Sequence, residues 1–153
     1  MCTGRARVQN GRVEREKREV AVGFVIDEEK CTECQRCMGA CALVKTGRVS
    51  LRESRIRILR RWPQTPQLEV CRFDDCPAQP CIGACPVEAI TNREGIVLID
   101  REACTGCGAC VEACPFGAIL QDDDGLAWKC DFCGGAPACV PECVTAAIAV
   151  KEG

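Results

Sequence analysis

One cysteine spacing, C-x2-C-x2-C-x3-C-P, constrains this chain more than any other feature of its sequence. It is formed by Cys104, Cys107, Cys110 and Cys114, followed by Pro115. Three cysteines on so short a loop bring their sulfurs together, as a cubane iron–sulfur cluster requires. The fourth cysteine begins a helical turn, and in two-cluster proteins it binds the other cluster. Gly106 and Gly108 suit such a loop because glycine tolerates the backbone dihedrals that it needs.

Three related cysteine sets occur elsewhere, so we number the four sets as motifs one to four in chain order. Motif one is Cys31, Cys34, Cys37 and Cys41; motif two is Cys71, Cys76, Cys81 and Cys85, followed by Pro86; motif four is Cys130, Cys133, Cys139 and Cys143. With the set at Cys104, the sequence predicts four [4Fe–4S] clusters, each with four cysteines available as metal ligands. Cys2 stands outside every motif, and we interpret it as a free thiol.

Disulfides and zinc are the alternatives for a chain in which 17 of 153 residues are cysteine. Disulfides need an oxidising compartment. Residues 1 to 22 contain no apolar run typical of a signal sequence, and no transmembrane stretch follows, so we expect a cytoplasmic, metal-binding protein without a membrane anchor. Zinc commonly uses mixed cysteine and histidine ligands. The chain has no histidine, which leaves an all-cysteine zinc site as the remaining alternative.

Charge and motif content argue against nucleic-acid binding and against an active site in this chain. The formal net charge is −2. Sixteen thiolates and four cluster cores of about +2 each would bring it to roughly −10. Neither a glycine-rich phosphate loop nor a basic–aromatic platform occurs. Because each predicted cluster has four cysteines, no iron is left open for a substrate, and we expect an electron carrier rather than an enzyme.

Apolar runs between the motifs predict short strands. We expect single strands at 23–27 and 146–150, two strands within 56–70 joined by a turn at 62–66, and hairpins at 89–100 and 118–128. The turn of the last hairpin contains Asp122, Asp123 and Asp124, which we interpret as solvated turn residues rather than as a calcium site.

Short repeats surround the cysteines. Ile-Asp precedes both Cys31 and Cys104 at the same interval, and Ala-Ile follows Cys85, Cys114 and Cys143 at the same interval. Each unit is therefore predicted as a strand, a cysteine loop and a short helix. Such a unit is too small to bury its own core, so the units are expected to pair around the clusters.

The pairing predicts an α+β fold of two bacterial-ferredoxin-like units, one inserted in the other, with small β-hairpins and short helices around four cubane clusters. Motifs two and three both end in C-P, so residues 71–129 form the inner two-cluster unit. Residues 23–41 and 130–150 form the outer unit, with the first and last strands paired. Residues 1–22 are expected to be a flexible arm and 42–70 a basic insertion. Tandem pairing, one with two and three with four, is the alternative.

The insertion is rich in basic side chains. These are Lys45, Arg48, Arg52, Arg55, Arg57, Arg60 and Arg61, and the same segment holds only Glu53 and Glu69 as acids. One interpretation is a solvated face that offsets the negative clusters, and another is a docking patch for a partner enzyme.

The four motifs in this order, with CRFDDCPAQPCIGACP and CDFCGGAPACVPEC as the second and fourth, resemble a known group. They are similar to the iron–sulfur electron-transfer subunits of the dimethyl-sulfoxide reductase and formate-hydrogenlyase type. The short chain and the SRIRI segment are most similar to the small subunits that serve tungsten aldehyde oxidoreductases, benzoyl-CoA-reductase complexes and carbon-monoxide-linked hydrogenases. The resemblance covers about residues 23–150.

The resemblance implies the inserted pairing and four ligand sets. Carried over, one cluster takes Cys31, Cys34, Cys37 and Cys143, and a second takes Cys41, Cys130, Cys133 and Cys139. The inner unit binds one cluster through Cys71, Cys76, Cys81 and Cys114, and another through Cys85, Cys104, Cys107 and Cys110.

The predicted function is the relay of single electrons between a tungsten- or molybdenum-containing catalytic subunit, such as an aldehyde oxidoreductase, and another redox partner. That second partner would be a flavin- or NAD-linked subunit or a ferredoxin, with low potentials typical of anaerobic metabolism. Three alternatives remain. They are a freestanding polyferredoxin, a subunit of a hydrogenase or formate dehydrogenase, and a structural role in which copies stack into an extended wire.

Overall fold

The computed structural model describes residues 22–151. Residues 1 to 21, which include Cys2 and nearly all of the predicted arm, lie outside the described residues. The described chain is a small α+β protein with short elements. In order these are β1 (Phe24–Ile26), α1 (Arg36–Thr46), β2 (Arg57–Leu59), β3 (Gln67–Glu69), α2 (Pro80–Ala84), β4 (Ile90–Arg93), β5 (Ile96–Ile99), α3 (Ala109–Ala113), β6 (Ile119–Gln121), β7 (Ala127–Lys129) and β8 (Ile148–Val150).

All the described strands pair antiparallel in four two-stranded sheets. β2 pairs with β3, β4 with β5 and β6 with β7, which confirms the strands predicted in 56–70 and both predicted hairpins. β1 pairs with β8, with Phe24 opposite Val150 and Ile26 opposite Ile148. The predicted pairing of the first strand with the last is therefore confirmed, and it brings motif one next to motif four.

Each of the first three motifs continues into an α-helix. α1 is the longest, and it ends where Gly47 adopts a left-handed conformation and its N–H donates to the carbonyl of Leu43. α2 begins at Pro80, whose missing N–H costs nothing in the first helical turn. α2 and α3 pack against each other.

The helix predicted for every unit is wrong for motif four. There the chain forms a 3-10 segment, Phe132–Gly135, that is broken by left-handed dihedrals at Cys133 and Gly134. Further on, Pro141 lies between Cys139 and Cys143 and has no N–H to donate to a helical hydrogen bond. Only turns follow before β8. The units are alike in their cysteine spacing but not in their backbone.

Two apolar clusters form the core. The first contains three fully buried rings, Phe24, Phe73 and Phe132, and joins β1 and β8 to the β2–β3 hairpin. Its ring centroids lie 5.0 to 6.1 Å apart, in tilted and edge-on arrangements that aromatic pairs favour. The second cluster contains Ile90, Val97, Ile119 and Ala127 and joins the β4–β5 and β6–β7 hairpins. Cysteines of the motifs line both clusters, so the apolar core and the candidate sites share the same walls.

Among residues 22–151, no helix is both long and apolar enough to cross a membrane.

Candidate iron–sulfur cluster sites

The loops that carry the first three cysteines of motifs one and three share one backbone shape. In motif three, Gly106 and Gly108 have positive φ values of 70° and 78°. In motif one, Glu33 and Gln35 occupy the matching positions with φ values of 55° and 61°. Only glycine adopts these dihedrals without strain, so motif one reaches the same loop at an energetic cost. At Gly106 the space is also closed, because an added Cβ would lie 2.8 Å from the carbonyl oxygen of Gly125.

Four cysteines from motifs two and three line one cavity. They are Cys104, Cys107 and Cys110 from one loop and Cys85 from the other motif. Ile90, Ile99 and Ala127 supply apolar wall around them. The last cysteine of motif two therefore lies with the first three of motif three.

The reciprocal arrangement lines a second cavity. Cys71, Cys76 and Cys81 of motif two face Cys114 of motif three there, together with Phe116, Ile119 and Lys129. Burial raises the pKa of Cys81 to about 11, and the nearby ammonium of Lys129 opposes this shift. The charges of Cys71, Cys114 and Cys76 also raise the pKa of Cys81, which is expected only of thiols that lie close together.

A third group of neighbouring thiols joins three cysteines of motif one, Cys31, Cys34 and Cys37, to Cys143, the last cysteine of motif four. Burial, with smaller contributions from the charges of Cys31, Cys143 and Cys34, raises the pKa of Cys37 to about 11. Burial also acts to raise the pKa of Cys143, but backbone N–H groups, including that of Ile148, and the Thr145 hydroxyl outweigh it and lower the pKa.

The fourth group is the most deeply buried. Burial raises the pKa of Cys139 far above its ordinary value, and the charges of Cys130, Cys41, Cys37 and Cys133 add to this effect. Burial likewise raises the pKa of Cys130 to about 12, with smaller contributions from Cys41 and Cys71. The structure thus brings Cys41 to the three cysteines at the start of motif four.

The last cysteine of every motif accepts a backbone hydrogen bond at sulfur. Ala89 donates to Cys85 at 3.3 Å, Ala118 to Cys114 at 3.4 Å and Ala147 to Cys143 at 3.2 Å. These alanines are the first residues of the Ala-Ile repeats, which explains the repeat: the alanine N–H contacts the sulfur and the isoleucine is buried in the adjoining strand.

Motif one lacks the Ala-Ile repeat because α1 continues past Cys41 to Thr46. Its last sulfur accepts instead from the backbone N–H of Arg55, at 3.3 Å, which comes from the chain after the helix. Hydrogen bonds of this kind favour the thiolate and, in iron–sulfur proteins, raise the reduction potential of the cluster.

The geometry of the inner cysteine sets is that of a cubane site. Four thiols that each bind a different iron of a cubane must surround a volume, and the two inner sets line cavities. The cysteine sets therefore fit [4Fe–4S] clusters. Cys34 and Cys107 are the two exposed cysteines of the described chain.

The basic segment makes more ion pairs than its local sequence indicates. Arg57 pairs with Glu69, as the sequence allows, but Lys45 and Arg55 both pair with Asp131, at 2.6 and 2.9 Å. Arg48, Arg52 and Arg60 pair with Glu53, Asp123 and Glu33. Glu53 and Glu69 are the only acids within the segment, but the fold brings Asp131, Asp123 and Glu33 against it from three other parts of the chain.

Sequence reasoning missed Lys129, which is only 4% exposed. Its ammonium donates to the carbonyl oxygens of Val97 and of Cys130, the latter at 2.7 Å, and lies 4.9 Å from the centre of the Phe73 ring. The sequence contained an indication that Lys129 is buried. Side chains alternate along a strand, so Lys129 shares the inward face of β7 with Ala127.

Several known proteins are similar to this chain over part of its length. It is 35% identical over 90 residues to the aliphatic sulfonate oxidoreductase polyferredoxin-like subunit of Pyrococcus furiosus, covering 58% of this chain and 51% of that protein. It is 40% identical over 90 residues to a tetrathionate reductase subunit of Archaeoglobus fulgidus, covering 56% and 42%. With the beta subunit of NADH-dependent phenylglyoxylate dehydrogenase of Aromatoleum evansii the identity is 37% over 89 residues, covering 55% and 20%. The chain spans about half or less of the length of these curated relatives.

The 4Fe-4S dicluster domain family matches residues 63–152, which hold motifs two, three and four and more than half of the chain. The crossed cysteine sets of the structure lie largely within the same range. The chain is a ferredoxin-like iron–sulfur protein and belongs to the 4Fe-4S dicluster domain family.

Proposed function

We propose that this chain relays single electrons through four [4Fe–4S] clusters, as the electron-transfer subunit of an oxidoreductase complex. The observation that carries the proposal is the crossed arrangement of motifs two and three, in which each cavity holds three cysteines of one motif and the last cysteine of the other. This crossing is typical of two-cluster ferredoxins. The same crossing of motifs one and four, through neighbouring thiols, extends the argument to four clusters.

The proposed ligands follow these groups. They are Cys31, Cys34, Cys37 and Cys143 for the first cluster; Cys41, Cys130, Cys133 and Cys139 for the second; Cys71, Cys76, Cys81 and Cys114 for the third; and Cys85, Cys104, Cys107 and Cys110 for the fourth. On this proposal, residues 71–129 are an inner unit inserted into an outer unit of residues 23–41 and 130–150. The β1–β8 pairing supports the insertion, as does the second apolar cluster, all of whose members lie within residues 71–129.

The four sites follow one another in a row. The charge of Cys37, in the first site, raises the pKa of Cys139 in the second site. The charge of Cys71, in the third site, likewise raises the pKa of Cys130 in the second. The third and fourth sites share motifs two and three, whose helices α2 and α3 pack together. The exposed cysteines, Cys34 and Cys107, belong to the first and fourth sites. We therefore infer that electrons enter and leave at these two ends.

The proposed catalytic partner is a tungsten- or molybdenum-containing oxidoreductase, in the cytoplasm, with a second redox partner at the other end. The relatives' names support a subunit role in general, because they are subunits of a sulfonate oxidoreductase, a tetrathionate reductase and a phenylglyoxylate dehydrogenase. Within the basic segment, the proposed docking surface for this partner is the end of the β2–β3 hairpin. There Trp62 is 91% exposed and follows Arg60 and Arg61 in the chain. Arg60 pairs with Glu33 of the motif-one loop, which places this hairpin beside Cys34.

A freestanding polyferredoxin is the second candidate function. The exposed cysteines at both ends favour it, because a diffusible carrier exchanges electrons with partners that bind only briefly. Co-purification separates the two. A subunit is expected to bring a large tungsten- or molybdenum-containing protein with it, whereas a carrier is expected to purify alone.

The decisive test of the cluster proposal is the iron and acid-labile sulfide content of anaerobically purified protein. About sixteen of each per chain are expected for four cubane clusters. About eight would show that only two sites hold clusters, and would contradict the four-cluster relay. Zinc with little sulfide would refute cluster binding altogether.

A further inference from the structure

Lys129 carries a buried positive charge that no carboxylate in residues 22–151 neutralises. It takes part in none of the ion pairs of that part of the chain, and its ammonium contacts two carbonyl oxygens and the face of Phe73. Charged side chains are rarely buried unless they are paired, because desolvation of an ammonium is costly. Carbonyl and aromatic contacts orient the ammonium, but they supply no opposite full charge.

The position of Lys129 identifies the missing negative charge. Its side chain lines the cavity that holds Cys71, Cys76, Cys81 and Cys114, the proposed third cluster site. Its ammonium also donates to the carbonyl oxygen of Cys130, a proposed ligand of the second cluster. Lys129 therefore lies between the two middle sites of the row, both of which are walled by apolar side chains.

We propose that Lys129 is a positioning residue that tunes electron transfer between the second and third clusters, by holding a fixed positive charge next to both. A cubane cluster with four thiolate ligands is negatively charged, and accepting an electron adds one more negative charge. A nearby ammonium favours the reduced form and so raises the reduction potential. This inference rests on the proposed cluster ligands.

The rigid contacts of Lys129 make the effect specific to the middle of the row. The two carbonyl oxygens and the Phe73 ring fix the ammonium in place, so its charge cannot swing out into water. The proposed ligands Cys34 and Cys107 belong to the end sites and are exposed to solvent, which screens charge. We therefore expect the two middle clusters to have higher potentials than they would have without Lys129, and the end clusters to be little affected.

The test is a reductive titration of the full chain, with dithionite as the electron donor and electron paramagnetic resonance as the readout. Lys129→Met and Lys129→Gln remove the charge, and Lys129→Arg keeps it. Arg93→Met, which removes one positive charge from an exposed site on β4, is the matched control. The iron and sulfide content of the wild-type chain is measured first, because a chain without them refutes the cluster proposal rather than the role of Lys129.

The expected result is that two of the reduction steps shift to lower potential in both neutral variants, at full iron content. The expected size is at least about a tenfold change in the one-electron equilibrium, or about 59 mV, because one unit charge contributes that much even at about 12 Å in a medium with an effective dielectric constant of about 20. Lys129→Arg and Arg93→Met should leave the steps in place. Loss of iron in the neutral variants would instead show that the Lys129 ammonium, with its contacts to two carbonyl oxygens and the Phe73 ring, holds the fold, and would overturn the tuning role. Unchanged potentials in the neutral variants, or loss of iron in all three, would overturn it.

Discussion

Replacing Phe132 with alanine should destabilise the protein more than almost any other single truncation outside the cysteines. Phe132 is 1% exposed, and its ring lies 5.0 Å from that of Phe24 and 5.3 Å from that of Phe73. These three rings come from β1, from the chain just after motif two's first cysteine, and from the start of motif four. Removing one of them opens a cavity at the place where the distant parts of the chain meet.

The magnitude follows from burial and from the aromatic contacts. Truncating a buried phenylalanine to alanine costs about 3–5 kcal/mol. Each aromatic pair contributes about 0.5–1.5 kcal/mol beyond its buried area. Because Phe132 is fully buried and belongs to two pairs, we expect a loss of about 4 kcal/mol or more. If the whole loss appears in the unfolding rate, unfolding becomes at least about a thousandfold faster.

The assay is the rate at which the visible iron–sulfur absorbance disappears in guanidinium chloride under anaerobic conditions, with far-ultraviolet circular dichroism recorded alongside. A rate is the right quantity because cluster loss makes unfolding irreversible. Trp62→Ala is the matched control, since Trp62 is an aromatic side chain that is 91% exposed and lines neither inner cluster cavity. Its loss should be no more than about 2 kcal/mol. If the Phe132 variant loses its clusters no faster than the Trp62 variant, the three rings do not hold the chain together as we argue.

Three further predictions address the ligands, an ion pair and the docking surface. Cys114→Ser should change the electron paramagnetic resonance signal of the cluster that Cys114 shares with motif two. Cys85→Ser should change the signal of the cluster that Cys85 shares with motif three. Identical spectral changes in the two variants would contradict the crossed ligands. Burial acts to raise the pKa of Asp131, but the hydrogen bond from Lys45 and the charge of Arg55 outweigh it and hold the pKa below 3.8. The contribution of this carboxylate is therefore present above pH 3.8 and is lost only as the pH falls through the lower folded pKa. Asp131→Asn should speed cluster loss in guanidinium chloride by the same factor, equivalent to about 1–2 kcal/mol, at about pH 6 and about pH 8. A factor that differs between these two pH values would refute this. Trp62→Ala should weaken binding of a co-purifying catalytic subunit at least tenfold in surface plasmon resonance without changing iron content, because exposed tryptophans often anchor interfaces; unchanged affinity would exclude the hairpin as the docking surface.

The sequence alone predicted the features that depend on short stretches of chain. Cysteine spacing predicted four loops, and pairs of apolar runs on either side of a short polar turn predicted the β4–β5 and β6–β7 hairpins that the structure contains. The pairing of β1 with β8 was also predictable, because motifs one and four were the two left over once motifs two and three were matched. Each of these patterns depends either on residues that are close together in the chain or on repeated motifs whose sequences can be compared with one another.

Only the tertiary structure decided which side chains from distant parts of the chain meet. It placed Asp131 against Lys45 and Arg55, gave the sulfur of Cys41 a hydrogen bond from Arg55, and turned Lys129 inward between two candidate cluster sites. It also showed that motif four forms turns where the other motifs form helices. Ion pairs, sulfur contacts and buried charges depend on how separate elements pack, and no local pattern records the partner that the folded chain will bring alongside.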